Sequence, residues 1–370
     1  MIALHDPDGE LAIARTGVRG WYAHRASGVS YATVSRYLNG NPHVSAKAAE
    51  RIAAAVKQVN YTPNNAARSL VRQRTQTVAF VVHGQPDSLI ADPNINTILL
   101  NANQTLGNAD YQLITLISDS PAAGARIARL ASSGFADGWI LNTFHKDDPL
   151  FQRFANISVP VAISGVGYGS AIPFPTVDID NRLASRKLTE HMLGRGYRRI
   201  AYIIGPPYLP CSDERLLGFQ DAMAGDFDPA LVIRPDGWTR PDGRNAVVRL
   251  LDSLAEPSGS RLAGADASVP ELLAEHHIDA LICGSDCIAA GAMNYLLDRG
   301  VRVPDDIAIA GFDDSADATA MHPQLTTVRQ PMDAFGVSLA TLVLDQIEGR
   351  PFQRTVFLPT EVVARGSTGE

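Results

Sequence analysis

The sequence holds no run of about eighteen apolar residues, the length a helix needs to cross a bilayer, so a membrane-spanning protein is not expected. It has only three cysteines, Cys211, Cys283 and Cys287. At that number and spacing they make neither a disulfide framework nor a zinc site, and they read as packing residues in a reducing compartment. The opening MIALHDPDGELAIART carries acids where a secretion signal needs a basic flank and an apolar core, so the chain is expected to stay in the cytoplasm. No G-x-S-x-G, G-x-x-x-x-G-K-[ST] or G-x-G-x-x-G follows an apolar run, which removes the usual supports for acyl transfer, nucleotide hydrolysis and dinucleotide binding. No catalytic residue, metal or cofactor is expected.

What is present describes an ordinary globular protein: 370 residues, 45% apolar and 19% charged, above the size at which one core stops growing. The formal charge of −7 argues against a polyanion partner only until it is segmented. Between Val18 and Thr75 nine basic residues, from Arg19 to Arg74, meet a single acid, Glu50. That head carries an excess of eight positive charges, which leaves −15 for the rest of the chain. A short basic module on a long acidic body is the outline of a nucleic-acid-binding head on a soluble domain.

The head divides by its punctuation. Ser30 can cap a helix over Tyr31 to Leu38, with Val34 and Leu38 as its buried edge and Tyr31, Ala32, Ser35 and Arg36 on other faces. Asn39-Gly40-Asn41-Pro42 stops it, and Ser45 can cap a second helix whose Ala49, Ile52, Val56 and Val59 form an apolar stripe. The ordered text GVSYATVSR, N-x-x-x-x-V-S and N-Y-x-P-N-x-x-A-x-x-L resembles the headpiece of the LacI/GalR (lactose-repressor) family of bacterial transcription regulators. The resemblance implies base reading by Tyr31, Ala32 and Arg36, with Thr33, Ser35, Asn39, His43 and Ser45 nearer phosphates. It also implies a hinge helix from Asn64 to Val71 that inserts Leu70 into the minor groove. Val18–Ser27 departs from the family's first helix: Gly20 costs a helix interior about 1 kcal/mol against alanine, and Tyr22 stands where the family usually has an acid. The first seventeen residues have no counterpart.

After Thr77 short apolar runs alternate with helical stretches: VAFVV from Val78, YQLITLI from Tyr111, GWIL from Gly138, VAIS from Val161, IAYII from Ile200, LVI from Leu231, ALIC from Ala280 and IAIAG from Ile307. Near-continuous apolar strands between helices indicate parallel sheets covered on both faces, here two doubly wound lobes with a ligand cleft at the carboxyl ends of the strands. The resemblance continues through VDIDN at Val177, R-x-x-G-F at Arg215, DGW at Asp236, CGSDCIAAGAM at Cys283, VPDDIAIAGFDD at Val303, HPQLTTVRQP at His322 and LPTEVVARGST at Leu358. It covers roughly residues 26 to 368 and implies a periplasmic-binding-protein-like effector domain, with the chain crossing between lobes near residues 177, 331 and 359. Carried over by position, Arg215, Trp238, Asp286 and Gln330 contact a small effector, and Asp92 and Asn94 can reach the same cleft. Asp286 can equally cap its helix, and Asn181, Asp313 and Asp314 can equally be turn formers.

The expected organisation is an unassigned extension (1–17), an α-helical helix-turn-helix domain (18–62), a hinge and linker (63–75) and an α/β effector domain (76–370). The effector domain's first lobe takes 76–177 and 332–358, its second 178–331 and 359–370. The expected function is a homodimeric, sequence-specific DNA-binding regulator, a repressor, that reads a roughly palindromic operator and answers to a small effector, a sugar or sugar derivative. The alternative is a sugar-binding protein of the same fold whose aberrant first helix has ended DNA binding. Ala255 to Val269, rich in Ser, Gly, Pro and Ala, is expected to be a surface excursion.

Overall fold

The computed structural model describes residues 4–5, 11–12, 24–38, 43–59, 74–84, 92–142, 148–165, 173–255 and 268–370. The expected hinge helix with Asn64 and Leu70, the turn residue Asn39, the departures at Gly20 and Tyr22, and most of the 255–269 excursion lie outside the described residues. The chain forms two units, Met1–Gln76 and Thr77–Glu370.

In the first unit two short strands, β1 (Leu4–His5) and β2 (Leu11–Ala12), pair antiparallel. A helical turn over residues 24–27 ends at Gly28, whose φ of +59° is the left-handed conformation that closes helices and whose amide donates to His24 O (3.1 Å). Helix α1 (Tyr31–Leu38) follows Ser30, whose Oγ accepts from the Thr33 amide at 3.3 Å. Helix α2 (Ala46–Gln58) is capped by Ser45, which accepts from the Ala48 amide. Helices of 8 and 13 residues are marginal alone, and these two close over a core centred on Val34 and Ile52, with Val29, Leu38, Val56 and Val59 packed around it.

The second unit carries two parallel sheets. The larger is built from β3 (Thr77–His83), β4 (Gln112–Ser118), β5 (Gly138–Asn142), β6 (Val161–Ser164), β7 (Thr176–Ile179) and β13 (Thr355–Leu358), in the order β13-β7-β6-β5-β3-β4. Every pairing in it is parallel, with Phe80 between Thr115 and Ile140. The smaller is β8 (Ile200–Ile203), β9 (Val232–Ile233), β10 (Ala280–Cys283) and β11 (Ala308–Ala310), in the order β11-β10-β8-β9, also parallel. All eight strands read from the sequence are present; β7 and β13 are additions. Strand alternation divides the side chains between two cores. Val78, Phe80 and Val82 face one layer while Ala79 and Val81 face the other with Trp139 and Phe154. In the second lobe Ile200 and Tyr202 face one way and Ala201 and Ile203 the other. Each large side chain so buried contributes about 1.5 to 3 kcal/mol.

Alternating with the strands along the chain are α3 (Pro93–Asn108), α4 (Pro121–Ser132), α5 (Pro149–Ala155), α6 (Asn181–Gly194), α7 (Pro210–Met223), α8 (Arg240–Ala255), α9 (Val269–Glu275), α10 (Asp286–Leu297), α11 (Ala316–Ala320) and α12 (Met332–Glu348). Helices α8 and α10 touch backbone to backbone: a Cβ on Gly243 would lie 2.1 Å from Ile288 O, and one on Gly291 2.0 Å from Arg240 O. This fixes the start of α8, and the loop before it, against the end of the smaller sheet. The chain leaves the larger sheet after β7, returns between β12 (Thr327–Arg329) and α12, and leaves again between β13 and β14 (Glu361–Val363). Strands β12 and β14 pair antiparallel, Val328 opposite Val362, and Asp314 takes ion pairs from Arg329 (2.6 Å) and Arg365 (2.5 Å) to bind them to the second lobe.

Candidate functional sites: the head and the interlobe cleft

On α1 the buried edge, Val34, leaves Tyr31 (54% exposed), Ala32 and Arg36 on the open side. Those are the three residues expected to read bases. Thr33 is half-buried, its hydroxyl 2.8 Å from that of Ser30, and Ser35 is half-buried; His43 and Ser45 are exposed at the start of α2. Behind this face His24 Nδ1 donates to Val29 O (2.5 Å), and the ring meets Tyr31 edge-on at 6.3 Å between centroids. Gly28 lies against α2, where a Cβ would meet Arg51 Nη2 at 2.6 Å. The side chains of this helix-turn-helix are thus divided between a small core and one polar, basic face.

In the second unit a cleft of about 910 Å³ opens at the carboxyl ends of both sheets. Arg215, on α7 and 6% exposed, is its central cation. Its Nε donates to Asn181 Oδ1 (2.9 Å), its Nη1 to Gly284 O (2.6 Å), and its guanidinium carbon stands 3.6 Å from the Phe312 ring centre. Among the described residues Nη2 has no hydrogen-bonding partner. Opposite, Asp313 follows β11 with φ of 122°, held by its amide to Val328 O (2.8 Å) and by Gln330 Nε2 to its carboxylate (2.6 Å). Asn94, on the first lobe, lines the same cleft near enough to Asp313 to favour its ionised carboxylate. Asp92 caps α3, accepting from the Asn94 (2.8 Å) and Ile95 (3.3 Å) amides.

Burial pushes the Asp313 carboxyl up to about 7; Arg215 opposes this, and the neighbouring Asp92 adds to it. Burial likewise raises Asp92. The folded protein therefore holds a proton at Asp313 up to near pH 7 that the unfolded chain releases near 3.8, so stability fully present below pH 3.8 is lost as pH rises through 7. Asp313→Asn is expected to flatten that loss: the drop in Tm between about pH 5 and about pH 8 should be smaller in the variant. An unchanged drop would assign the proton elsewhere.

Three glycines close the strand ends under the cleft. A Cβ on Gly205 would lie 2.2 Å from Trp238 Cη2 and 2.3 Å from Ser212 Oγ, so the indole is seated directly on the end of β8. Gly284 stands at the end of β10, where a Cβ would meet Gly205 N at 2.9 Å, and on Gly311 it would meet Asp286 Oδ1 at 2.3 Å. Trp238 and Tyr208 line the cleft here, and Asp236, Thr239, Arg240 and Asp242 complete that wall.

The comparisons with known proteins agree with this geometry. The model for bacterial regulatory proteins of the lacI family matches residues 24–64, and that for a periplasmic binding protein-like domain matches 189–368. The HTH-type transcriptional regulator CelR of Thermobifida fusca is 33% identical over 348 residues, covering 92% of this chain and 95% of its own. The chain belongs to the LacI family of bacterial transcription regulators. The ribose operon repressor of Halalkalibacterium halodurans is 28% identical, with 92% and 94% covered. Among solved structures, a CelR–cellobiose complex is 30% identical with a TM-score of 0.70, covering 94% of this chain and 99% of that one. The Lac repressor dimer bound to operator and the anti-inducer ONPF, 22% identical with a TM-score of 0.77 and 94% and 97% covered, shares the fold.

Within this LacI-family frame the cleft brings together Arg215, Trp238, Gln330, Asp92 and Asn94. Asp286 does not line it. That carboxylate is 0% exposed and accepts from Thr327 Oγ1 (2.6 Å) and the Ser315 amide (2.7 Å), because the helix cap is Ser285 and the next side chain turns inward. The aspartate that reaches the cleft is Asp313. Asn181, expected with Asp313 and Asp314 to form turns, also lines the wall, whereas Asp314 is an ion-pair anchor. Cys211 and Cys287, read as packing residues, line the cleft; only Cys283 is core. Sequence reasoning also missed Tyr208, Asp119, Asp178 and the 239–242 turn. The usable signal was position, since Asp178 is the next-to-last residue of β7 and the others follow the carboxyl end of a strand or open a helix there.

Proposed function

We propose that this LacI-family regulator is a cytoplasmic, non-enzymatic repressor whose operator affinity is set by a sugar of disaccharide size held in the interlobe cleft. The observation that carries the reading is the set of hydrogen-bonded pairs Arg215–Asn181 and Gln330–Asp313, which share one cleft with Asn94 of the other lobe and with Trp238. Charged and amide groups at hydrogen-bonding distance suit vicinal hydroxyls, and an indole face suits the apolar side of a pyranose. The solved complex of the relative CelR holds cellobiose. A ligand contacting both lobes favours one lobe arrangement by its differential affinity, and linkage requires that an effector which weakens operator binding binds the DNA-bound form more weakly by the same factor.

The test is fluorescence anisotropy of the full-length protein on DNA from its own upstream region against shuffled DNA, over a salt series, with and without cellobiose. Specific binding with a log–log salt slope of about −0.9 per neutralised phosphate is expected. Absence of binding by the folded dimer would instead support a sugar-binding protein of the same fold that has lost DNA binding. Arg36→Ala is expected to reduce the preference for operator over shuffled DNA by about 1 to 3 kcal/mol, because guanidinium reads guanine bidentately. Equal weakening on both DNAs would make Arg36 a phosphate contact.

A further inference from the structure

The segment 18–27, which departs from the family's first helix, contains a residue on which several contacts converge. His24 is tied to the turn before α1 by both its carbonyl and its ring. The carbonyl accepts from the Gly28 amide (3.1 Å) and from Ser27 Oγ (3.1 Å). The ring reaches across the turn, where Nδ1 stands 2.5 Å from Val29 O. A carbonyl only accepts, so Nδ1 carries the proton, and this bond sets both the tautomer and the plane of the ring. Helix α1 makes no claim on that carbonyl, because the Thr33 amide, four residues on, goes to Ser30 O (2.9 Å) instead.

Held in this way, the imidazole meets the Tyr31 ring edge-on, with centroids 6.3 Å apart and planes at 88°. Tyr31 is 54% exposed, and among the described residues its hydroxyl has no hydrogen bond and its ring no other aromatic neighbour. Aromatic pairs favour such right-angled contact, and a side chain ordered before association loses less freedom when it binds.

We infer that His24 is a positioning residue for DNA reading: locked to Val29 O, its imidazole holds the Tyr31 ring at the angle in which Tyr31 meets the bases. The inference rests on the open face of α1 being the base-reading face and adds the residue that sets the geometry of that face. A partly unfolded head would bind every DNA less well by the same factor, since only the folded fraction is competent. A misdirected Tyr31 instead weakens operator binding alone, because phosphate contacts carry no sequence information. The ratio of the two affinities therefore separates positioning from folding.

The experiment is fluorescence anisotropy of the full-length protein and its His24→Ala, His24→Asn, Tyr31→Ala and His24→Ala/Tyr31→Ala variants. Each is titrated onto DNA from its own upstream region and onto shuffled DNA at one salt concentration. His24→Ala is expected to lower the operator-to-shuffled affinity ratio about 10-fold while shuffled binding stays within about 2-fold. His24→Asn keeps a donor for Val29 O but removes the ring, and should lower the ratio as alanine does. In the Tyr31→Ala background, His24→Ala should change the ratio by less than about 2-fold, because it acts through that ring. Equal weakening on both DNAs, full recovery by asparagine, or losses that multiply in the double variant would each overturn the inference. A ratio untouched by Tyr31→Ala removes Tyr31 from base reading and the inference with it, while the wild-type preference keeps the regulator reading intact. If the wild type shows no preference, that reading falls as well.

Discussion

Arg215→Ala is expected to abolish the effector response of the full-length protein while leaving operator binding in place. Among the described residues that line the cleft, the guanidinium is the one cation without an ion pair. Its Nη2 is available to a ligand because Nε and Nη1 are held by Asn181 and Gly284 O. One or two charge-assisted hydrogen bonds lost amount to about 3 kcal/mol, on the order of 100-fold in affinity. Lysine should not rescue the function: an ammonium cannot satisfy Asn181 and Gly284 O in the same plane and still present a donor to the cleft. Calorimetric titration reads the first claim and operator anisotropy with effector the second. Effector-dependent release persisting in the alanine variant would remove Arg215 from the binding site. The truncation should also cost about 1 to 3 kcal/mol of stability, since it strips partners from buried groups.

Asp286→Ala should act differently, through folding. Its carboxylate, fully buried, joins the first turn of α10 to the Ser315 amide and to Thr327 on β12, one of the segments near the crossing between lobes. Removing it leaves a hydroxyl and an amide without their acceptor, at about 1 to 3 kcal/mol each. For a unit of this size the loss is expected to lower Tm by roughly 5 to 15 °C. Burial, with Asp313's charge behind it, holds this carboxyl well above the usual carboxylate range. Asp286→Asn therefore replaces a group already biased toward its neutral form and should cost much less. Scanning calorimetry of the two variants decides the matter; equal, small shifts would show that Asp286 is not the tie described.

Much of the fold was legible because its signals are local. Serine caps at 30 and 45 announced both head helices, and β-branched runs announced eight strands. The two strands of the larger sheet that the sequence did not announce fail that signal for opposite reasons. β7 is fully buried, yet its T-V-D-I is broken by Asp178, which takes the Ile179 amide. β13 is an edge strand with alternate residues exposed, so T-V-F-L shows no continuous run. β12 and β14, three residues each, are too short for any periodicity and exist because they pair with each other.

The cleft was legible only in part. Arg215, Trp238 and Gln330 follow from the family pattern, but the exchange of Asp286 for Asp313 does not. Both are aspartates at strand ends in the same lobe, and which one faces a ligand depends on backbone conformation. Asp313, at φ of 122°, is turned outward toward Gln330, while Asp286 lies one residue inside a helix whose cap serine already serves the free amides. No side-chain preference in the text records that difference.

The bare strand ends at Gly205, Gly284 and Gly311 also bear on how such a receptor can change its ligand over a lineage. Side chains cannot be added there without striking Trp238, the neighbouring backbone or Asp286. Mutational access to new specificities therefore runs through Tyr208, residues 236–242 and the Asp92–Asn94 corner, all of which sit on turns or first helical residues. A library confined to those positions would sample new ligands while leaving the sheets untouched, whereas one that included the three glycines would return mostly misfolded protein.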